Sequence, residues 1–170
     1  GATAAVPVEL LQNYWGATYT TPQTTKNQVA YVNLTGKVEA TPTWTLDGSV
    51  RVRAFRQKTV DGNPTETERC AADPGLPGFN DDGAPANGLN GVQLANPFPD
   101  TAVLGQIDRT STRSTTTGAT LQATNNDQLF GHNNQFMVGA SFDSGVTRFG
   151  ASAELGTIGP NYVLTGSGIF

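Results

Sequence analysis

The chain has 170 residues, 36% of them hydrophobic and 14% charged, enough for one domain and too few for two comfortable ones. Twenty Gly and ten Pro, with abundant Thr, Asn and Ser, are poor helix formers and exclude an all-α fold. A net charge of −4 and a pI near 4.8 lack the basic field that DNA or RNA demands, so no nucleic-acid partner is expected.

Residues 1–7 have neither the basic start nor the apolar core of a signal peptide, and no later run approaches the roughly 20 apolar residues of a membrane helix. Membrane strands remain open. A chain that begins at Gly1 instead of Met reads as a processed product or an excerpt. Up to Asn27 there is no sustained period, and Pro7, Pro22 and the Thr-rich run 18–25 predict a loop with one short helical turn over Val8–Asn13.

From Gln28 the pattern becomes strict period two. Ala30, Val32, Leu34, Gly36, Val38 and Ala40 hold one parity, and Tyr31, Asn33, Thr35, Lys37 and Glu39 the other, which predicts a strand. Thr41-Pro42-Thr43 then makes a tight turn, since Pro cannot donate to a ladder. The alternation resumes with Trp44, Leu46, Gly48, Val50, Val52 and Ala54 opposite Thr45, Asp47, Ser49, Arg51 and Arg53, giving a hairpin with one apolar and one charged face.

Between Thr59 and Ile107 the Gly, Pro, Asn and Asp clusters predict one long loop. Its acids are Asp61, Glu66, Glu68, Asp73, Asp81, Asp82 and Asp100, and its one base is Arg69, so seven negative charges against one positive leave −6. These acids keep a long loop soluble. In a sharper version they meet divalent ions near lipopolysaccharide or repel anionic ligands. A third strand is predicted over Arg113–Asp127, then a turn at Gly131–Asn134 and a fourth strand with Phe136, Val138, Ala140 and Phe142 on its apolar parity. Around Asp143-Ser144-Gly145 the phase slips as at a β-bulge, and the apolar parity resumes with Phe149, Ala151, Ala153 and Leu155. Gly159-Pro160 ends it, and Tyr162–Phe170 begins a fifth strand.

Chemistry finds little footing, and no enzyme activity, cofactor or resident metal is expected. His132 is the one histidine and falls in a turn, without the partners of a Ser-His-Asp arrangement. Gly139–Ser141 and Gly150–Ser152 lack the final Gly of a nucleophile elbow. Asn80-Asp81-Asp82-Gly83 lacks the ligand spacing of a calcium loop. Asn33-Leu34-Thr35 matches a glycosylation acceptor but lies within a strand. Cys70 has no internal partner for a disulfide and reads as a free thiol, with a bridge to a residue outside this stretch as the alternative.

Four strands in two hairpins with short turns at one end, joined by a long loop at the other, follow the asymmetry of an outer-membrane β-barrel. The strands are also longer than the usual globular 5–6 residues and reach the roughly 9–11 that a membrane strand needs. The fold expected is all-β, an antiparallel transmembrane β-barrel segment, with Trp44 and Phe136 in an interfacial girdle and Lys37, Glu39, Asp47, Arg51 and Arg53 facing the lumen. An open four-stranded sheet has bare edges that a membrane cannot satisfy, so on this reading residues 1–170 are part of a larger barrel domain. A soluble sheet packed on one face alternates in the same way.

The stretches Ala40–Pro64 and Leu129–Gly145 resemble the barrel region of bacterial TonB-dependent outer-membrane receptors, and the likeness extends over Asn27–Leu155. The resemblance implies a 22-stranded barrel filled by an N-terminal plug and energised through TonB, the plug being a region this stretch does not include. It implies an outer-membrane location among lipid and lipopolysaccharide, and uptake of a scarce nutrient, with ferric siderophores the usual cargo and cobalamin or glycans further classes. Lumenal Arg51 and Arg53 would favour an anionic cargo. Two alternatives remain open: a passive porin or translocator barrel, and a soluble β-sandwich binding module using Tyr14, Trp15 and Tyr19.

Overall fold

The computed structural model describes residues 6, 8–13, 15, 20–69 and 84–170. Over those residues it is all-β, 68% strand and 6% helix, and is built on an antiparallel five-stranded sheet, with no closed barrel among them. In chain order the elements are α1 (Val8–Asn13), β1 (Gln23–Glu39), β2 (Trp44–Pro64), β3 (Leu104–Asn125), β4 (Gln128–Leu129), β5 (His132–Asn133), β6 (Phe136–Ile158), a 3₁₀ turn (Pro160–Tyr162) and β7 (Leu164–Ile169). The large sheet has the order β1-β2-β3-β6-β7, and β4 pairs with β5 alone. Cys70 and Asn80–Gly83, considered above, lie outside the described residues, as do Tyr14 and Tyr19.

The chain divides into two compact units: a strand unit of Asn27–Gln57 and Thr112–Phe149, and a loop-bearing unit of Gly1–Lys26, Lys58–Ser111 and Gly150–Phe170. In the strand unit, the β1–β2 turn closes where Ala40 N and Thr41 N both donate to Trp44 O, at 2.9 and 3.3 Å. Thr41 Oγ1 accepts from Trp44 N at 3.0 Å, so a side chain takes up a donor freed by the turn. The β3–β6 connection is stitched by Asn125 Oδ1, which accepts from Asp127 N at 3.0 Å, and by Asp127 Oδ1, which accepts from Gln128 N at 2.8 Å. The turn expected at Gly131–Asn134 is corrected to Phe130–Gly131, the left-handed tip of the small β4–β5 hairpin, because His132–Asn133 pair with Gln128–Leu129 as β5. The two connections meet through Asn126 N donating to Thr43 O at 2.9 Å.

The strands outrun their sequence limits in the loop-bearing unit. β2 continues to Pro64 and β3 begins at Leu104, so residues 59–64 and 104–107 of the loop expected from Thr59 to Ile107 are corrected to strand. Asp61-Gly62-Asn63-Pro64 reads as a turn, yet its side chains find cross-strand partners. Thr59 Oγ1 lies 2.6 Å from Thr110 Oγ1, and Asn63 Nδ2 donates to Asp108 Oδ2 at 2.8 Å. Pro64 sits at the strand's last position, where a missing donor is tolerated. β1 likewise starts at Gln23, earlier than the alternation indicates.

This unit holds the small apolar core, Ile107, Leu155 and Leu164, with buried Thr20 and Glu154. Gly105 is required there, because a Cβ would lie 2.6 Å from Leu164 Cδ1 and 2.9 Å from the Asn63 carbonyl oxygen. The segment before β1 is clasped between the 3₁₀ turn and the end of β2: Thr21 N donates to Tyr162 O at 3.0 Å, and Gly62 N to Pro22 O at 2.7 Å. β7 pairs antiparallel with the end of β6, with a register shift between Leu155 and Gly156. α1 and β7 occupy the positions expected for the helical turn and the fifth strand.

Candidate functional site: two faces of the strand unit

The polar parity of the strand unit is cross-linked strand to strand. Ser49 Oγ on β2 lies 2.7 Å from Thr120 Oγ1 on β3, and Thr147 Oγ1 on β6 donates to Ser114 Oγ on β3 at 3.0 Å. The Arg51 guanidinium on β2 pairs with the Asp143 carboxylate on β6, although β3 lies between those strands. Gly118 on β3 makes the bridge sterically feasible: a Cβ there would lie 2.5 Å from Asp143 Oδ1 and 2.7 Å from Arg51 Nε.

These contacts also correct the expected bulge. Gly118 faces Asp143, and Ser114 faces Thr147, so four residues on β3 match four on β6 and no extra residue intervenes at Asp143–Gly145. β6 runs unbroken from Phe136 to Ile158. The slip in the pattern is a change in which parity is apolar: Phe149 shares the parity of Asp143, and Phe142 does not.

The opposite parity is apolar and uncovered. Gly48 on β2 approaches Leu121 Cδ1 on β3, at 3.7 Å from an ideal Cβ, which puts the even residues of β2 on one face with the odd residues of β3. That face presents Leu34, Val50, Val52, Leu121, Phe136, Val138, Phe142 and Val146, all exposed. Among the described residues of the strand unit, only Gly118, Thr124 and Asn125 are buried, and none is a large apolar residue.

Of the two residues singled out from the sequence, Arg51 has its charge met by Asp143, and Arg53 lies over the Phe55 ring, 5.7 Å from its centroid. Arg53 has no ion pair among the described residues. His132 is exposed on β5, and among the described residues no cluster of three or more His, Cys, Asp or Glu is placed to hold a metal ion.

Two groupings escaped the sequence reading. In the strand unit, Arg56, Arg113 and Arg148 line one cleft with Ala54, Thr115 and Val146. Following each strand's apolar parity two residues further reveals them, because Arg56 succeeds Ala54, Arg113 precedes Thr115, and Arg148 succeeds Val146. In the loop-bearing unit, Arg109 Nη2 pairs with Glu154 Oε2 at 2.6 Å, Gly168 N donates to Glu154 Oε1 at 2.8 Å, and the Arg109 guanidinium lies 5.7 Å from the Phe170 ring centroid. The Gly168 N–H hydrogen bond, aided by Arg109, holds the Glu154 carboxyl below the usual carboxylate range despite its burial. Nothing in the spacing of Arg109 and Glu154 forecasts that pair.

No protein-family model matches the chain, and a search of curated proteins finds no match.

Proposed function

We propose that this chain forms part of the wall of a TonB-dependent outer-membrane receptor that takes up a scarce nutrient, with a ferric siderophore as the cargo class. The observation that carries the membrane part is the strand unit: a cross-linked polar face, an exposed apolar face, and no large apolar side chain buried among its described residues. A soluble sheet gains its stability by burying one face against another layer. Lipid covers an apolar face in the same way without one.

Dimensions support the reading. On β2 the apolar parity runs from Trp44 to Ala54, and on β6 from Phe136 to Val146. Ten residues at roughly 3.3 Å each span about 33 Å, which a strand tilt near 45° reduces to roughly the 25 Å height of an outer-membrane apolar band. β1 is an edge strand of 17 residues, and barrel closure is what supplies such an edge with a partner. The connection 40–43 is short and the connection 65–103 long, so the long loop is assigned to the extracellular side.

The TonB-dependent assignment, as against a passive barrel, rests on the resemblance of Ala40–Pro64 and Leu129–Gly145 to that family. On this reading the chain supplies lumenal surface, with Arg53, which has no ion pair among the described residues, able to meet an anionic cargo, and makes or breaks no bond. A plug from elsewhere in the receptor couples release to TonB.

Spin labels at successive positions 49–52, each introduced as cysteine into the whole receptor in a Cys70→Ser background, test the membrane part. Positions 50 and 52 are expected to be relaxed by lipid-soluble oxygen, and 49 and 51 by a water-soluble nickel chelate. No alternation would sink the barrel. Uptake that survives collapse of the proton-motive force would replace the receptor with a passive porin, and a stable detergent-free monomer would favour the soluble module.

A further inference from the structure

We propose that Asn90 is a site of spontaneous covalent modification, converted through a cyclic imide with Gly91 to aspartate and isoaspartate, and that the fold selects it over Asn87. Ring closure needs a backbone amide nitrogen that can reach the side-chain carbonyl carbon, and a glycine after the asparagine leaves that approach least hindered. The chain has two Asn-Gly steps, Asn87-Gly88 and Asn90-Gly91, and both lie in one small hairpin of the long connection. In sequence the two are equivalent.

The hairpin separates them. Its arms are joined by Leu94 N donating to Ala86 O at 3.0 Å and Gly88 N to Val92 O at 2.9 Å, and its tip is closed by Gly91 N donating to Gly88 O at 2.8 Å. A hairpin frays from its tip, so loss of the tip bond alone frees Gly91 N, whereas Gly88 N is released only when a further bond breaks. Gly88 is also hemmed in, with Leu94 Cδ2 and Phe170 O within 3.2 Å of an ideal Cβ, while Gly91 has nothing within 4 Å. Gly91 has a φ of 73°, a left-handed conformation that favours glycine. The need of the turn for glycine thus puts the unhindered nitrogen directly after Asn90.

The Asn90 side chain is placed for attack. Val92 N donates to Asn90 Oδ1 at 3.0 Å, and Oδ1 lies 3.1 Å from an ideal Cβ at Gly88, room that a side chain there would take. The amide is thereby folded back over the turn. As the ring closes, electron density moves onto Oδ1, and the Val92 N–H already points at the atom that becomes an oxyanion.

The reaction consumes water alone. Gly91 N gives up its proton to solvent and bonds to Asn90 Cγ, the Cγ–Nδ2 bond breaks, and ammonia departs with a proton. Water then opens the imide at one carbonyl or the other, leaving aspartate, or isoaspartate with its main chain running through Cβ and Cγ. Either product adds a negative charge to an already acidic connection. Isoaspartate also lengthens the tip beside Leu89, whose N donates to Phe170 O at 3.1 Å.

The test ages the whole protein at neutral pH, in native buffer and in concentrated urea, and follows isoaspartate at positions 87 and 90 by peptide mapping with mass spectrometry. Isoaspartate marks the ring, because direct hydrolysis of the amide yields aspartate alone. In native buffer position 90 is expected to convert about tenfold faster than position 87. In urea, where the hairpin is gone, the two should convert at similar rates. Asn90→Gln should abolish the fast conversion and leave the slow one at position 87 unchanged. Equal native rates, a faster rate at 87 or an absence of isoaspartate at 90 overturns the inference, as does a preference for 90 that persists in urea. Both positions are compared within one molecule, so the outcome is independent of what covers the apolar face of the strand unit.

Discussion

Arg51 on β2 and Asp143 on β6 join their charges over the top of β3, a strand that comes between theirs and offers only a hydrogen atom, at Gly118, beneath the bridge. The pair ties three strands with one interaction. Its members are partly exposed, 38% and 61% by side chain, so its own contribution is that of a surface pair, on the order of 1 kcal/mol or less.

Gly118→Val is therefore expected to cost more than loss of the pair itself. The new side chain must displace Arg51, Asp143 or the β3 backbone, an overpacking cost of about 1–3 kcal/mol. Arg51→Gln should cost less than about 1 kcal/mol. Urea midpoints of the refolded protein measure both, and a Gly118→Val midpoint equal to that of Arg51→Gln would show that the space over β3 is not limiting.

Glu154 belongs to the loop-bearing unit, outside the apolar band. Its carboxyl is held low by the Gly168 N–H and by Arg109, so the folded state binds the proton less readily than the unfolded chain does. The stabilisation is fully present above the unfolded carboxylate value, about 4.3, and is lost as pH falls through the folded one. Comparing wild type with Glu154→Gln in urea from pH 7 downward, the gap between their midpoints should be constant to about pH 5 and shrink below it. A gap that widens in acid would reverse the assigned sign.

In the loop-bearing unit, Arg69 donates to Pro99 O at 2.6 Å and to Ala102 O at 3.2 Å. Arg69→Ala removes both bonds and should speed hydrogen exchange across residues 98–103, leaving exchange in β1 unchanged. If exchange does not change at 98–103, the clasp does not order that segment.

Gly105→Val places atoms against Leu164, Ile158 and the Asn63 carbonyl oxygen. Backbone oxygen cannot rotate away as a side chain does, so the expected cost is about 1–3 kcal/mol, visible as a lower thermal midpoint and faster exchange in β7. Gly36, which has nothing within 4 Å of an ideal Cβ, serves as the control: Gly36→Ala should move the midpoint little.

The hairpins could be read from sequence because the side-chain period of a strand is two and both Thr41-Pro42-Thr43 and Gly131-His132 interrupt it. Residues 59–64 could not, since Asp, Gly, Asn and Pro advertise a turn and only cross-strand partners such as Thr110 and Asp108 reveal a strand. The phase slip on β6 was visible, but its cause was not: a bulge and a change of apolar parity look alike until Ser114 and Thr147 fix the register. At the candidate site, parity alone put Arg51 and Arg53 on the polar face. The partner of Arg51 lies 92 residues away, beyond the reach of any local pattern. The arginine cleft was latent in the same alternation, one step past its apolar end.

β1 has a further consequence, in the life of the chain before it folds. Its 17 residues lie at a sheet edge, and an edge of that length, left unpaired, templates the addition of any other extended chain. A polypeptide carrying it is at its most hazardous before folding is complete, when it is already able to pair and not yet beside its neighbour. Substitutions along β1 that leave the folded protein untouched can thus still reduce how much of it forms.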